Sequence, residues 1–318
     1  MANISAPALS QLKTALEAQV SGRRGAPSVP YLVPALWAPV GVEPVGVEPQ
    51  AVDPASWLLE HIRAIESRAM PGVRAEHSLN AQISGGTGGE WVGKSPIYNL
   101  FVRLGTAFDH DGDGCLGGAK HDLTLNRHGV RESGTLLKAL ALLGHVHRLG
   151  ARTIHLLPVT AIGRDGNKGA LGSPYAIKNA YRLEPTLADP LVALDVEVQF
   201  RAFIEACHLL GIRVICEFVF RTASKDADWI AEHPDWFYWI DSTVPDRNPG
   251  ETNLDRARTS YGNPIFDEET LKQVKQKVER GDFHELPPPP ESYRRFFKLP
   301  PSSGQVRPHS VAAASSMP

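Results

Sequence analysis

Leu9, Leu12, Leu16 and Val20 recur at helical spacing, which predicts an amphipathic helix over about residues 8–20. A second helix is expected from Asp53-Pro54 to about Ser67, an N-cap residue followed by proline at the first helical position. Between them lie seven prolines from Pro27 to Pro54, with GVEP at 41–44 and again at 46–49, a composition that reads as extended linker. After the glycine-rich SGGTGG (84–89) the pattern changes. Ile97 to Val102 reads as a strand. Ser133 opens a helix with Leu136, Leu137, Leu140, Leu143, Val146 and Leu149 in register, closed by Gly150. Thr153 to Val159 reads as a second strand, Asp195 to Leu210 as a helix closed by Gly211, and Arg213 to Phe220 as a third strand. A further helix is expected to begin at Ser224.

Strands alternating with helices imply a parallel sheet with right-handed crossovers. The strands at 153–159 and 213–220 are nearly continuous apolar runs, as in parallel sheets covered on both faces. Two long polar loops, 103–132 and 160–194, follow strands, where α/β folds carry their chemistry. No Gly-rich nucleotide fingerprint follows any strand. From about Pro245 the pattern offers one helix, Glu268 to Val278, then a proline-rich stretch and a low-complexity end.

Composition narrows the function classes. The chain has 318 residues, 42% hydrophobic and 21% charged, with Lys plus Arg 33 against Asp plus Glu 35. That balance gives no field for holding polyanions, so nucleic acid is not an expected partner. Three cysteines without paired spacing (Cys115, Cys207, Cys216) fit a reduced, cytoplasmic setting. No run approaches the ~20 apolar residues of a membrane helix, so no membrane partner is expected.

Candidate chemistry is sparse. In FDHDGDGCLGG (108–118), Asp109, Asp111 and Asp113 match the first half of an EF-hand loop. Its twelfth position is Lys120, where a glutamate is required. Carboxylates so close repel unless a cation is present, so either weak calcium or a solvated acidic turn fits. Trp236-Phe237-Tyr238-Trp239 is either core or a sugar platform. His145, His147 and His155 lack ligand spacing to a cysteine or carboxylate cluster and read as ordinary helix and strand residues. In GIRVICEFVFRT (211–222), Glu217 sits inside an apolar strand and Arg221 at its exit, pointing to the same face. Together they are either an ion pair or the rim of a site.

Several of these segments together resemble glycoside hydrolase family 13, the α-amylase class. HRLGARTIHLLPV (147–159) is similar to that family's second strand, GSPYAIKNAYRLEP (172–185) to the loop after it, and GIRVICEFVFRTAS to the third-strand motif. SPYAIKN, EHPDWFYWI and ESYRRFFKLPP look most like the maltosyltransferase branch. The resemblance implies the first three βα units of a (β/α)8 TIM barrel over residues 95–300, after a helical, Pro-rich region 1–94 and before a tail 301–318. It implies retaining transfer or hydrolysis at α-1,4 bonds, with an α-glucan or maltooligosaccharide as ligand and Tyr175, Lys178, Asn179, Glu217 and Arg221 as binding residues. Glu217 replaces the usual aspartate of the third-strand motif, and Arg221-Thr222 its Asn-His. The acidic loop resembles a calcium loop that follows the family's first strand, with Asp109, Asp111 and Asp113 as ligands; no other cofactor is implied. The family's nucleophilic aspartate and acid/base glutamate lie on later strands, which this chain lacks. The resemblance therefore implies a truncated chain, inactive alone, completed by a second polypeptide or acting as a non-catalytic glucan binder.

Overall fold

The computed structural model describes residues 6–22, 31–69, 93, 96–118, 123–165, 169, 171–220, 222–237, 239–240, 266–288, 290–294 and 297–301. They fall into two compact units. The first is built within Met1–Ala161, Asn167–Pro174 and Ala180–Val219, the second within Ile162–Gly166, Tyr175–Asn179 and Phe220–Pro318.

The centre of the first unit is a three-stranded parallel sheet of β3 (Ile97–Leu100), β4 (Thr153–Leu156) and β7 (Arg213–Cys216), in the order β3-β4-β7; the short α3 (Val102–Gly105) follows β3, and β5 (Thr160–Ile162) and β6 (Ile177–Leu183) come between β4 and β7 along the chain. Asn99 lies opposite His155, and His155 opposite Ile215. Alternation sends Leu100, Ile154 and Leu156 into the core and turns Asn99 and His155 to a more open face. Four helices cover the buried side: α1 (Pro7–Gly22), α2 (Pro54–Ser67), α4 (Leu136–Ala141) and α6 (Val196–Leu209). They share one continuous core, in which Leu9, Leu12 and Leu16 of α1 join Ile62, Leu140, Ile154 and Phe203.

The described residues 6–22 and 31–69 therefore share the first unit's core rather than standing apart. α1 packs on α6 and α2, because its apolar stripe finds cover there and nowhere local. At its start, the buried Glu205 of α6 accepts hydrogen bonds from the Ala8 and Leu9 N–H groups, at 3.3 and 2.7 Å. Both are donors that a helix leaves unsatisfied in its first turn.

The proline-rich stretch is not a linker either. β1 (Leu32–Val33) pairs antiparallel with β2 (Gln50–Ala51), and Tyr31, Val33, Trp37 and Val40 are buried. Arg148, at the end of α5 (Leu143–Arg148), donates to the Leu36, Ala38 and Val42 carbonyls. Gly144 lets this approach happen: a Cβ there would stand 2.1 Å from the Ala38 oxygen. The helix expected over 133–149 is capped by Thr135 and interrupted at Leu142. The i→i−4 bonds persist on either side (Leu142 N–H to Lys138 O, Val146 N–H to Leu142 O), and Leu142 itself keeps right-handed helical backbone angles.

In the second unit, Ala227, Ile230 and Trp239 form a small core. The helix expected from Ser224 is only a turn long, α7 (Trp229–Glu232), and β8 (Trp239–Ile240) pairs antiparallel with β9 (Phe297–Lys298). α8 (Glu268–Glu279) starts at Asp267, whose carboxylate accepts from the Thr270 N–H, and buries none of its residues. No helix among the described residues is long and apolar enough to cross a membrane.

Candidate functional site

The face of the parallel sheet away from the core carries the first group of polar residues. The Glu217 N–H donates to Leu156 O at 3.0 Å, prolonging the β4–β7 ladder by one bond. Two residues beyond Ile215, the Glu217 side chain shares a face with His155. Its Oε2 lies 3.9 Å from His155 Nε2, and His155 Nδ1 is 3.2 Å from Asn99 Oδ1. The side chains of His155 and Glu217 are 31% and 30% exposed. Glu217 is thus about a third exposed, with His155 as an ionic neighbour. Arg221 lies outside the described residues. The sequence reads His155 as an ordinary strand residue and does not single out Asn99. Their alignment comes from strand register across residues 56 positions apart, a separation that local spacing does not reveal.

Tyr175, Lys178 and Asn179 belong to the second unit. Tyr175 is 43% exposed, and its carbonyl accepts from Thr222 Oγ1 at 3.3 Å. Lys178 and Asn179 are engaged by two carboxylates absent from the sequence reading. Lys178 Nζ stands 3.9 Å from Asp226 and 3.8 Å from Asp228, while Asn179 Nδ2 donates to Asp228 Oδ2 at 2.8 Å. The pairing follows from backbone: the Ser224 and Asp228 N–H groups donate to the Ile177 and Lys178 carbonyls, laying 224–228 along 177–178. Burial pushes the Asp226 carboxyl up, but the Arg164 N–H, Ser224 and Lys178 outweigh it and hold that group below the usual aspartate range.

The aromatic run divides. Trp239 is buried and donates its Nε1–H to Pro234 O at 2.7 Å. Trp236 is 60% exposed, with its ring stacked 3.9 Å from that of His233.

The acidic loop folds around a different set of carboxylates from the three read in sequence. Asp109, Asp111 and Glu132 bring ligand atoms within 4.8 Å of one another. Asp113 is not in that group; its Oδ1 accepts from the Cys115 N–H at 2.8 Å. Glu132 arrives because a turn at 126–129 and the Leu125–Arg131 bridge double the chain back. The set is already rich in donors. Asp109 accepts from the Gly112, Asp113 and Gly114 N–H groups. Buried Glu132 accepts from the His110, Asp111 and Gly117 N–H groups and from Asn126 Nδ2. Asp111 Oδ2, with Arg127 Nε 3.2 Å away, is the oxygen that takes no hydrogen bond. Beside the loop, His110 stacks on Tyr31 at 4.0 Å and meets Leu32 O through Nδ1. Burial, with help from the Lys138 charge, pushes its pKa down to about 2, so this histidine is neutral.

Together the described residues define a mixed α/β protein with a short parallel sheet and an open polar face at the sheet's carboxyl end. Sequence comparison places it beside glucan enzymes. It is 29% identical over 143 residues to the alpha-1,4-glucan:maltose-1-phosphate maltosyltransferase of Rhodospirillum rubrum, and 33% identical over 122 residues to that of Chlorobaculum tepidum. These matches take in 41% and 35% of this chain but 20% and 18% of the relatives, so the chain spans about a fifth of the length of the curated proteins it matches. No family model matches. Among solved structures, an α-amylase from Lactobacillus plantarum overlaps 59% of this chain and 36% of its own at 24% identity. The TM-score is 0.33, too loose an overlap to carry a fold assignment.

Proposed function

We propose that this chain supplies the binding and orienting part of an α-glucan site of the α-amylase class, its strands being the first three βα units of a (β/α)8 barrel. The chemistry of such a site is maltosyltransferase-like: retaining, at α-1,4 bonds. The observation that carries the reading is Glu217, which leaves the third parallel strand on the open face, where a barrel presents its ligand residues. Tyr175 offers a half-open ring for stacking on a glucosyl unit.

Retaining chemistry needs two carboxylates about 5–5.5 Å apart. Within one residue of the three strand ends there is a single one, Glu217, beside Leu100-Phe101 and Leu156-Leu157. This favours a binding role for the described residues, with catalytic groups supplied by other chain or by a partner polypeptide. Incubation with maltoheptaose is therefore expected to leave chain lengths unchanged, while calorimetry detects a complex that Tyr175→Ala weakens. Absence of any binding at millimolar sugar would refute the glucan reading. Redistributed chain lengths would retire the binding-only role.

Calcium fits the acidic loop only loosely. The backbone amides on Asp109 and Glu132 already supply positive partners, and Asp111 Oδ2, the oxygen without a hydrogen bond, is ion-paired with Arg127. We expect affinity no tighter than the ~10⁻⁴–10⁻³ M of loose sites. Calorimetric titration with calcium, repeated on Asp111→Ala, checks this; micromolar binding lost in the variant would show a complete ligand set.

A further inference from the structure

Resting on the glucan reading above, we propose that the Trp236 ring, backed by the His233 imidazole, is a stacking platform for one glucosyl unit of an α-glucan. It would be a second ring contact besides Tyr175. An indole carries a large apolar area that folding normally covers. Trp236 is instead 60% exposed. Backbone holds it there: the His233 N–H donates to Trp229 O at 2.8 Å, and the Trp236 N–H to His233 O at 3.0 Å. The resulting 3-10 turn, Pro234–Trp236, brings side chains three positions apart one above the other.

The imidazole and indole lie parallel to within 8°, with centroids 3.9 Å apart, so His233 covers one face of the Trp236 ring. With that face covered, so large an exposure requires the other face to be open. The backing ring fixes the platform before a ligand arrives, so little side-chain entropy is lost on binding. The exposed carboxylates of Glu232 and Asp235 lie on the same short segment. An open flat ring beside hydrogen-bond acceptors suits a ligand with an apolar C–H face and hydroxyls at its edge. A pyranose has both. A lipid or an apolar protein face would have to strip water from the two carboxylates, and a nucleic-acid strand would be repelled by them. A quaternary cation also favours aromatic rings near carboxylates, but it is held within a cage of rings. Trp229 meets Trp236 edge to face at 75° and 5.9 Å, a direct contact that leaves no cleft between them.

The test is fluorine NMR of the whole chain with 5-fluorotryptophan at its six tryptophans, titrated with maltoheptaose and, separately, with choline. The Trp236 signal, assigned by its loss in Trp236→Phe, is expected to shift saturably with maltoheptaose and not with choline. Trp236→Ala should weaken maltoheptaose binding about three- to tenfold in calorimetry, the scale of one aromatic contact. Trp236→Phe, which keeps a ring, should recover part of the loss, and circular dichroism checks that each variant is folded. Should Trp236→Ala fail to fold, the wild-type signal and the Trp236→Phe affinity decide. If maltoheptaose binds but the Trp236 signal or the Trp236→Ala affinity stays as before, the platform is wrong and the glucan reading stands. A Trp236 signal that moves with choline alone would make the ring a cation site and overturn the proposal. If maltoheptaose does not bind the wild-type chain, both readings fall.

Discussion

Glu132→Ala is expected to lower the stability of the first unit by about 3–5 kcal/mol, the scale for removing one member of a buried charged network. The residue is fully buried and its two oxygens take four hydrogen bonds, from the His110, Asp111 and Gly117 amides and Asn126 Nδ2. Alanine would strand these donors without water. A cationic neighbour adds to the cost. Lys138 is fully buried, donates to the Arg131 and Ser133 carbonyls, and has its pKa lowered by burial to about 7 even with the Asp189 and Glu132 charges opposing. Without Glu132 that ammonium loses one of its supports. Glu132→Gln should not rescue, because its NH₂ would face a backbone N–H on one side. For a unit of this size the loss corresponds to roughly 6–20 °C in the thermal midpoint. Urea unfolding of wild type and both variants measures it; a change under 1 kcal/mol would mean that the loop is not part of the cooperative unit.

Glu205→Ala should cost about 2–3 kcal/mol, combining two charge-assisted hydrogen bonds with a carboxylate at a helix N-terminus. Unlike Glu132, this loss should be local at first. Hydrogen exchange is expected to show α1 amides, from Leu12 to Leu16, opening far more readily, while β4 amides such as Ile154 keep their protection. Uniform loss of protection would instead show that α1 and the sheet open as one body. Glu205→Gln retains one acceptor and should fall between.

Where the chain's own periodicity decided the outcome, sequence reading succeeded. The apolar stripe of α1, the Asp53-Pro54 start of α2 and the glycine-closed α6 are all present within two or three residues. Strands ended earlier than their apolar runs: Leu157 to Val159 and Glu217 to Phe220 continue the hydrophobic pattern but lie past the last ladder pairs. What failed was whatever depended on partners distant in sequence. The prolines between 27 and 54 looked like linker because the carbonyls they expose are satisfied by Arg148, over a hundred residues away. Spacing alone groups Asp113 with Asp109 and Asp111, whereas Glu132 comes close to those two through a fold-back that has no local signature. Lys178 and Asn179 could not be paired with Asp226 and Asp228 without knowing that 224–228 runs beside them. His155 lies inside HRLGARTIHLLPV but has no ligand spacing, and only register gave it neighbours.

The reach of Glu205 back to Ala8 also sets an order of events during synthesis. The acceptor is made 196 to 197 residues after the donors it satisfies. At 5–20 residues per second, the first helix waits roughly 10–40 s before its cap exists. During that interval Leu9, Leu12 and Leu16 have no native cover from α6, and an isolated helix of this length is marginal in water. The nascent chain therefore presents an apolar segment until α6 has been made, and chaperones that bind such segments should associate with it until residue 205 has emerged.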